Sequence, residues 1–294
     1  MLSETQSVKS EVVTERQFLV ILRYLLRKPS AIIGLVVLIL LTLACIMAPH
    51  LTPYEQAKLS PRSALQPPSL EHPLGTDHFG RDQLTRILYG GRISLRVSVV
   101  AMIIGATFGI LLGASAGYWP GWIDEAISRF IDVMLAFPNI LLAMVVITLL
   151  GTGVNNLMIA LGVAMVPGFA RLARGTVISV RENDYVLAAR ALGGASPRVI
   201  VRHILPNAAA PLIVFGTLEI GVAILASAGL NFLGLGADPP TPEWGLMLAE
   251  SRIYIRRAWW LATFPGVAIM VMVISINVFG DGLRDALDPW LKGR

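Results

Sequence analysis

The stretch from Val99 to Tyr118 reads VVAMIIGATFGILLGASAGY and holds no charged residue. Twenty residues at about 1.5 Å per residue make a helix about 30 Å long, the thickness of a bilayer's hydrocarbon core. Gly105, Gly109, Gly113 and Gly117 recur every fourth position. They therefore share one helix face, along which another helix can approach closely.

Five further apolar runs lie to either side of this one. With it they give six predicted spans: Ala31 to Leu51, Ser94 to Tyr118, Ile127 to Leu150, Leu157 to Val177, Ala208 to Leu235, and Trp259 to Phe279. Pro167 and Pro265 interrupt two of them, which membrane helices tolerate when neighbours re-satisfy the freed carbonyls. Composition agrees: 55% of the 294 residues are hydrophobic and 15% charged, against about 45–50% and about 25% in soluble domains. The expected fold class is an all-α integral membrane protein with six transmembrane helices. Its organisation reads as a tail over 1–30, a first transmembrane helix over 31–51, an external loop over 52–93, a core with the remaining five helices over 94–283, and a tail over 284–294.

The net charge of +5 does not point to nucleic acid, because the basic residues flank apolar runs instead of covering a polar face. Lys9, Arg16, Arg23, Arg27 and Lys28 precede the first run, and Arg171, Arg174, Arg181, Arg190, Arg198 and Arg202 cluster around the segment 178–207. By the positive-inside rule, that segment and both termini are expected on the cytoplasmic side of a multi-pass inner membrane protein. The first external loop works against the bias with Lys58, Arg62, Arg81, Arg86 and Arg92. Residues 1–28 are polar before the first run, and more spans follow it, so the first run reads as a retained helix, not a signal peptide. The single cysteine, Cys45, lies in that run and excludes a disulfide framework.

Residues suited to catalysis are missing. Lys9, Lys28, Lys58 and Lys292 are the only lysines, and none completes the G-x-x-x-x-G-K-[ST] loop that cradles nucleotide phosphates. The four histidines lack metal-ligand spacing, and no G-x-S-x-G elbow occurs. No catalytic residue, metal or cofactor is expected. Glu219 stands out as an ionisable group inside an apolar run, where it is costly and turns to water or to the protein interior. It reads either as lining a translocation path or as an interior hydrogen-bonding group. Asn231, with Gly234 and Gly236, ends the same run as a flexible exit and is a second candidate for the path. Arg129 and Asp132, three residues apart, can share one helix face and pair, with a substrate contact as the alternative reading. Trp259 and Trp260 read as an aromatic belt. An ion-driven secondary transporter is the rival class, but it calls for intramembrane acidic pairs and repeats that this chain does not display.

The segment between the fourth and fifth spans carries the most specific pattern. Leu187-Ala188-Ala189, then Gly193, then His203-Ile204-Leu205-Pro206 resembles the EAA loop of bacterial ABC-importer permeases, Glu-Ala-Ala-x3-Gly-x9-Ile-x-Leu-Pro. Ala188, Ala189, Gly193, Leu205 and Pro206 match. Leu187 stands in place of the Glu and His203 in place of the Ile. Further blocks, among them Leu74 to Asp77, Asp132 to Pro138, Asn231 to Gly236, Pro239 to Gly245 and Gly280 to Pro289, resemble the C-type subunit of the dipeptide/oligopeptide (and nickel) permeases.

The resemblance implies a type I ABC-importer fold and one half of a heterodimeric channel with a B-type permease. It also implies two ABC ATPase subunits that bind the ATP, and a periplasmic or lipid-anchored substrate-binding protein. In that family the segment around Ala188 to Pro206 docks on the ATPase. Dipeptides, oligopeptides, glutathione, nickel chelates and opines all remain open as cargo.

Overall fold

A computed structural model describes residue 25 and residues 28–287. Most of the expected N-terminal tail, and residues 288–294 of the C-terminal one, lie outside the described residues. In chain order the helices of eight or more described residues are α1 (Pro29–Ile46), α2 (Gln83–Tyr118), α3 (Trp122–Leu135), α4 (Asn139–Leu150), α5 (Val154–Arg181), α6 (Asp184–Ala191), α7 (Ser196–Phe232), α8 (Trp244–Ser251) and α9 (Trp260–Leu287). Of these, α1, α2, α5, α7 and α9 are each long and apolar enough to cross a membrane.

The predicted third span is broken. In place of one helix from Ile127 to Leu150, α3 and α4 meet at 93°. The break falls at Ala136–Pro138, where proline disfavours helical backbone at the residue before it. Hydropathy averaged over a window does not register such a break.

The glycine stripe shows that this bent pair still crosses. A Cβ on Gly105 would strike Met165, on Gly109 Phe169, on Gly113 Ala173 and on Gly117 Val177. Both series rise by four, so α2 and α5 run parallel in close contact, and α5 starts on the face where α2 starts. The chain must cross back between them, through α3 and α4. Antiparallel packing completes the bundle: Gly221 of α7 faces Asn277 of α9 while Leu218 faces Gly280, and Gly34 of α1 faces Phe279 while Ala31 faces Gly282. The described chain therefore makes six crossings and begins and ends on one face, where Lys28 pairs with Asp285.

Two of the helices outrun the bilayer. Helix α2 has 36 residues, about 54 Å, and starts eleven residues before the predicted Ser94. It is N-capped by Asp82, which accepts from Thr85 N at 2.8 Å. Helix α7 begins at Ser196 and not at Ala208. It widens to a π-turn over Ile200–Ile204 just before Pro206, which lacks the N–H an α-turn needs there.

The loop over 52–82 forms a cap on the face where α2 begins. Arg81 and Arg86 are fully buried there. Arg81 Nε lies 2.6 Å from Asp77 Oδ2, and Arg86 Nη2 lies 3.4 Å from Glu250 Oε2 of α8. Trp260 is buried, and its Nε1 donates to Thr76 O at 3.1 Å. It is an internal anchor between α9 and the cap, not a belt residue; the half-exposed Trp259 alone fits the belt. Trp244 is likewise buried, donating to Ile87 O at 2.9 Å.

Candidate functional site

The face opposite the cap carries the matched loop. Helix α5 ends at Arg181, whose Nη1 donates to Gly117 O at 3.0 Å and so caps the end of α2. Helix α6 follows, with Val186 as its one buried side chain. Val186 enters a cluster with Tyr118, Val177, Val180, Val199, Ile200 and Ile204, drawn from α2, α5 and α7. One apolar anchor thus seats a projecting helix on three spans.

Gly193 closes that helix. Its φ is +80°, a left-handed conformation that costs glycine little. Gly193 N donates to Arg190 O at 3.0 Å and Gly194 N to Ala189 O at 3.1 Å, the paired bonds of a Schellman turn. Nothing lies within 4 Å of a Cβ at Gly193, so the requirement there is backbone conformation, not space. Leu205 and Pro206 sit just past the π-turn of α7, and His203 within it is half-buried.

Apolar side chains stand in the open on α6 and its flanks, beside the exposed Asp184 and Arg190. Leu192 is 89% exposed, Leu187 47% and Tyr185 45%, with Val201 of α7 at 65%. Ala188 is exposed beside them, while Ala189 is half-buried. Apolar side chains grouped outside the spans on a segment this short mark an interaction surface. Arg190, Arg198 and Arg202, all exposed, rim it.

Glu219 lies in the middle of α7, half-buried, and has no hydrogen-bond or ion-pair partner among the described residues. Asn231 lies elsewhere: it is fully buried. Its Nδ2 donates to Ser227 O at 2.9 Å and its Oδ1 accepts from Ala237 N at 2.5 Å. With both amide ends engaged, it fastens the turn after α7 and does not line an open path. Gly236 packs directly on it, so the expected flexible exit is a pinned one.

Asp132 does not pair with Arg129. It accepts from Arg171 Nη2 of α5 at 2.8 Å, while Arg129 faces Glu125 at 3.9 Å. One turn along, Arg174 grips Asp124 with two bonds of 2.6 and 2.8 Å, and Asp124 also accepts from Ser128 at 3.0 Å. A groove of about 270 Å³ runs between α2, α3 and α5 along these groups. Sequence spacing could not find the Asp132–Arg171 pair, since its members are 39 positions apart.

Near the cap, Glu243 is buried and N-caps α8, accepting from Leu246 N at 2.9 Å and from Ser94 Oγ at 2.9 Å. Burial pushes its carboxyl up from the ordinary value of 4.5, against the opposing pull of those hydrogen bonds.

Comparison with known proteins places these features. Residues 109–293 match the family described as "binding-protein-dependent transport system inner membrane component". Residues 17–68 match the "N-terminal TM domain of oligopeptide transport permease C". The chain is 50% identical over 270 residues to the dipeptide transport system permease DppC of Alkalihalophilus pseudofirmus, covering 92% of this chain and 89% of that one. It is 44% identical over 269 residues to a di/tripeptide permease of Pseudomonas aeruginosa, covering 90% and 89%. To a glutathione permease of Escherichia coli it is 44% identical over 268 residues, covering 91% and 88%. Among solved structures it resembles one of the MetNI methionine ABC transporter in inward-facing conformations, with a TM-score of 0.58 and 20% identity over 69% of this chain and 96% of that one. That likeness concerns the fold.

Proposed function

Because this chain belongs to the binding-protein-dependent transport inner-membrane family, as a permease subunit of an ABC importer, we propose that it is the C-type half of a heterodimeric channel for di- or oligopeptides. The names of its relatives support a peptide cargo, and glutathione, itself a peptide, falls in the same class. The partners in this reading are a B-type permease, two ABC ATPase subunits that bind and hydrolyse the ATP, and a periplasmic or lipid-anchored binding protein. The chain itself supplies no ATPase motif and no catalytic group. The face bearing α6 is cytoplasmic, together with both termini, and the cap faces the binding protein.

The observation that carries this reading is the surface of α6. Leu187, Ala188 and Leu192 project from a helix that Val186 anchors and Gly193 turns, which suits insertion into a groove on an ATPase. Leu187 at the family's Glu position makes this contact apolar, not ionic. Movement of the ATPases passes through the Leu205–Pro206 end of α7 and through α5 into the bundle, and the helices rock between outward and inward openings. Glu219, unpaired among the described residues, faces the partner permease or the water-filled path, where it meets a cationic group of cargo.

Affinity purification of the tagged chain from cells expressing the whole operon tests the reading, with uptake of a labelled dipeptide measured in parallel. Recovery of a second permease with ATPase subunits, and uptake that requires them, is expected. A chain that purifies alone and transports alone would refute it.

A further inference from the structure

Two ion pairs tie α3 to α5, and they differ in kind. Arg174 and Asp124 make a bidentate bond with side chains 40% and 21% exposed, and Ser128 adds a bond to the same carboxylate. That pair is committed to holding the helices together. Arg171 and Asp132 share a single bond and are 63% and 59% exposed. Such a pair contributes little to stability and is free to exchange partners.

Its position makes the exposure informative. Arg171 belongs to the stretch of α5 that packs beside Gly113 of α2. Gly113 lies five residues, about 7.5 Å, inside the end of α2 at Tyr118. Charged side chains exposed at that level, within snorkelling reach of the interface, turn to water, headgroups or a protein interior and not to hydrocarbon. The exposed surface of α3 divides accordingly. At 100° per residue, Glu125, Arg129 and Asp132 fall on one half, while Trp122, Ala126, Phe130 and Val133 fall on the other. One half suits an aqueous route and the other suits lipid or a partner helix.

The groove beside this pair holds about 270 Å³ and is lined by Ser128, Asp132, Arg171 and Arg174 over small residues, Gly113 and Ala116. The geometry points to a transit site for zwitterionic peptides in this groove, Arg171 taking the cargo's carboxylate while Asp132 takes its ammonium group. This rests on the peptide-importer reading above. The exchange conserves charge. One internal pair opens, two cargo pairs form, and the internal pair closes again on release. A site that is self-neutral when empty avoids leaving a bare charge within the membrane boundary. It also selects for cargo carrying both charges over cargo carrying one.

The assembled complex, in nanodiscs and without ATP, provides the test. Ser128→Cys places a thiol in the groove, and the native Cys45 is buried, so alkylation of this chain, resolved from the other subunits by mass spectrometry, reports on position 128. Dialanine at millimolar concentration is expected to slow that alkylation several-fold. N-acetyl-dialanine amide, which lacks both charges, is expected to leave it unchanged. Arg171→Gln should abolish the protection while the melting temperature stays within a few degrees, and Arg171→Lys should restore part of it. Equal alkylation rates with and without dialanine, in a complex that imports dialanine through its binding protein, would overturn the site and leave the importer reading standing. A complex that imports no peptide at all would overturn both. Protection that persists in Arg171→Gln would remove Arg171 from the site.

Discussion

Leu192 offers the sharpest test of the α6 surface. At 89% exposure it contributes almost nothing to the fold of its own chain, so its value lies in what covers it. Leu192→Ala removes three carbons. At about 0.8 kcal/mol for each buried methylene, full burial in a partner groove corresponds to about 2.4 kcal/mol. Partial burial brings that to about 1.5–2 kcal/mol, or about a ten- to thirtyfold loss of affinity. Leu187, 47% exposed, adds about half as much, so the double variant should bind ATPase roughly a hundredfold more weakly. The assay is recovery of ATPase subunits on the tagged permease across a dilution series, with the thermal midpoint of the permease in detergent as control. The midpoint should move little, because Leu192 is almost wholly exposed and Leu187 is only about half covered within the chain. Full ATPase recovery from the double variant at high dilution would refute docking through this surface. A lowered midpoint would instead show that the residues serve the permease's own fold.

Gly193→Ala should weaken the same association and lower stability by about 1 kcal/mol, since alanine must adopt φ near +80° at a site with ample room; an unchanged denaturation midpoint would refute the strain. Gly109→Ala should destabilise by about 1–3 kcal/mol because its Cβ meets backbone atoms of Val166 and Ala170 at 2.7 and 3.0 Å. Gly175→Ala, with nothing within 4 Å, should stabilise by up to about 1 kcal/mol, and melting curves of the two variants should move in opposite directions. The Glu243 carboxyl is raised in the folded state, so the folded chain keeps a proton that the unfolded chain releases. Stability should therefore fall as pH rises from about 4.5 through the folded value, and Glu243→Gln should flatten that slope in thermal scans across the range.

The glycine stripe, the apolar runs and the Ala188-Ala189-Gly193 spacing were legible in the sequence because each is a local pattern. A uniform period or a fixed offset acts on one helix at a time, and its chemistry does not depend on what lies opposite. Membrane residence, six crossings and the turn at Gly193 follow from such patterns. What lay beyond reach were facts about pairs. Asp132 found Arg171 and not its near neighbour Arg129, because the bent α3 lies along α5 and turns that carboxylate towards it. Trp260 is an internal anchor because the cap folds back over α9. Asn231 is spent on the turn that follows it. Arg81 and Arg86 look like loop charges in sequence, yet burial against Asp77 and Glu250 joins the cap to α8. Alone, the sequence determined which segments enter the bilayer and which one projects from it, since transfer free energy and helix period are properties of a segment. Only the tertiary structure decided which charges meet and which way α3 turns, since those depend on distances between groups far apart in the chain.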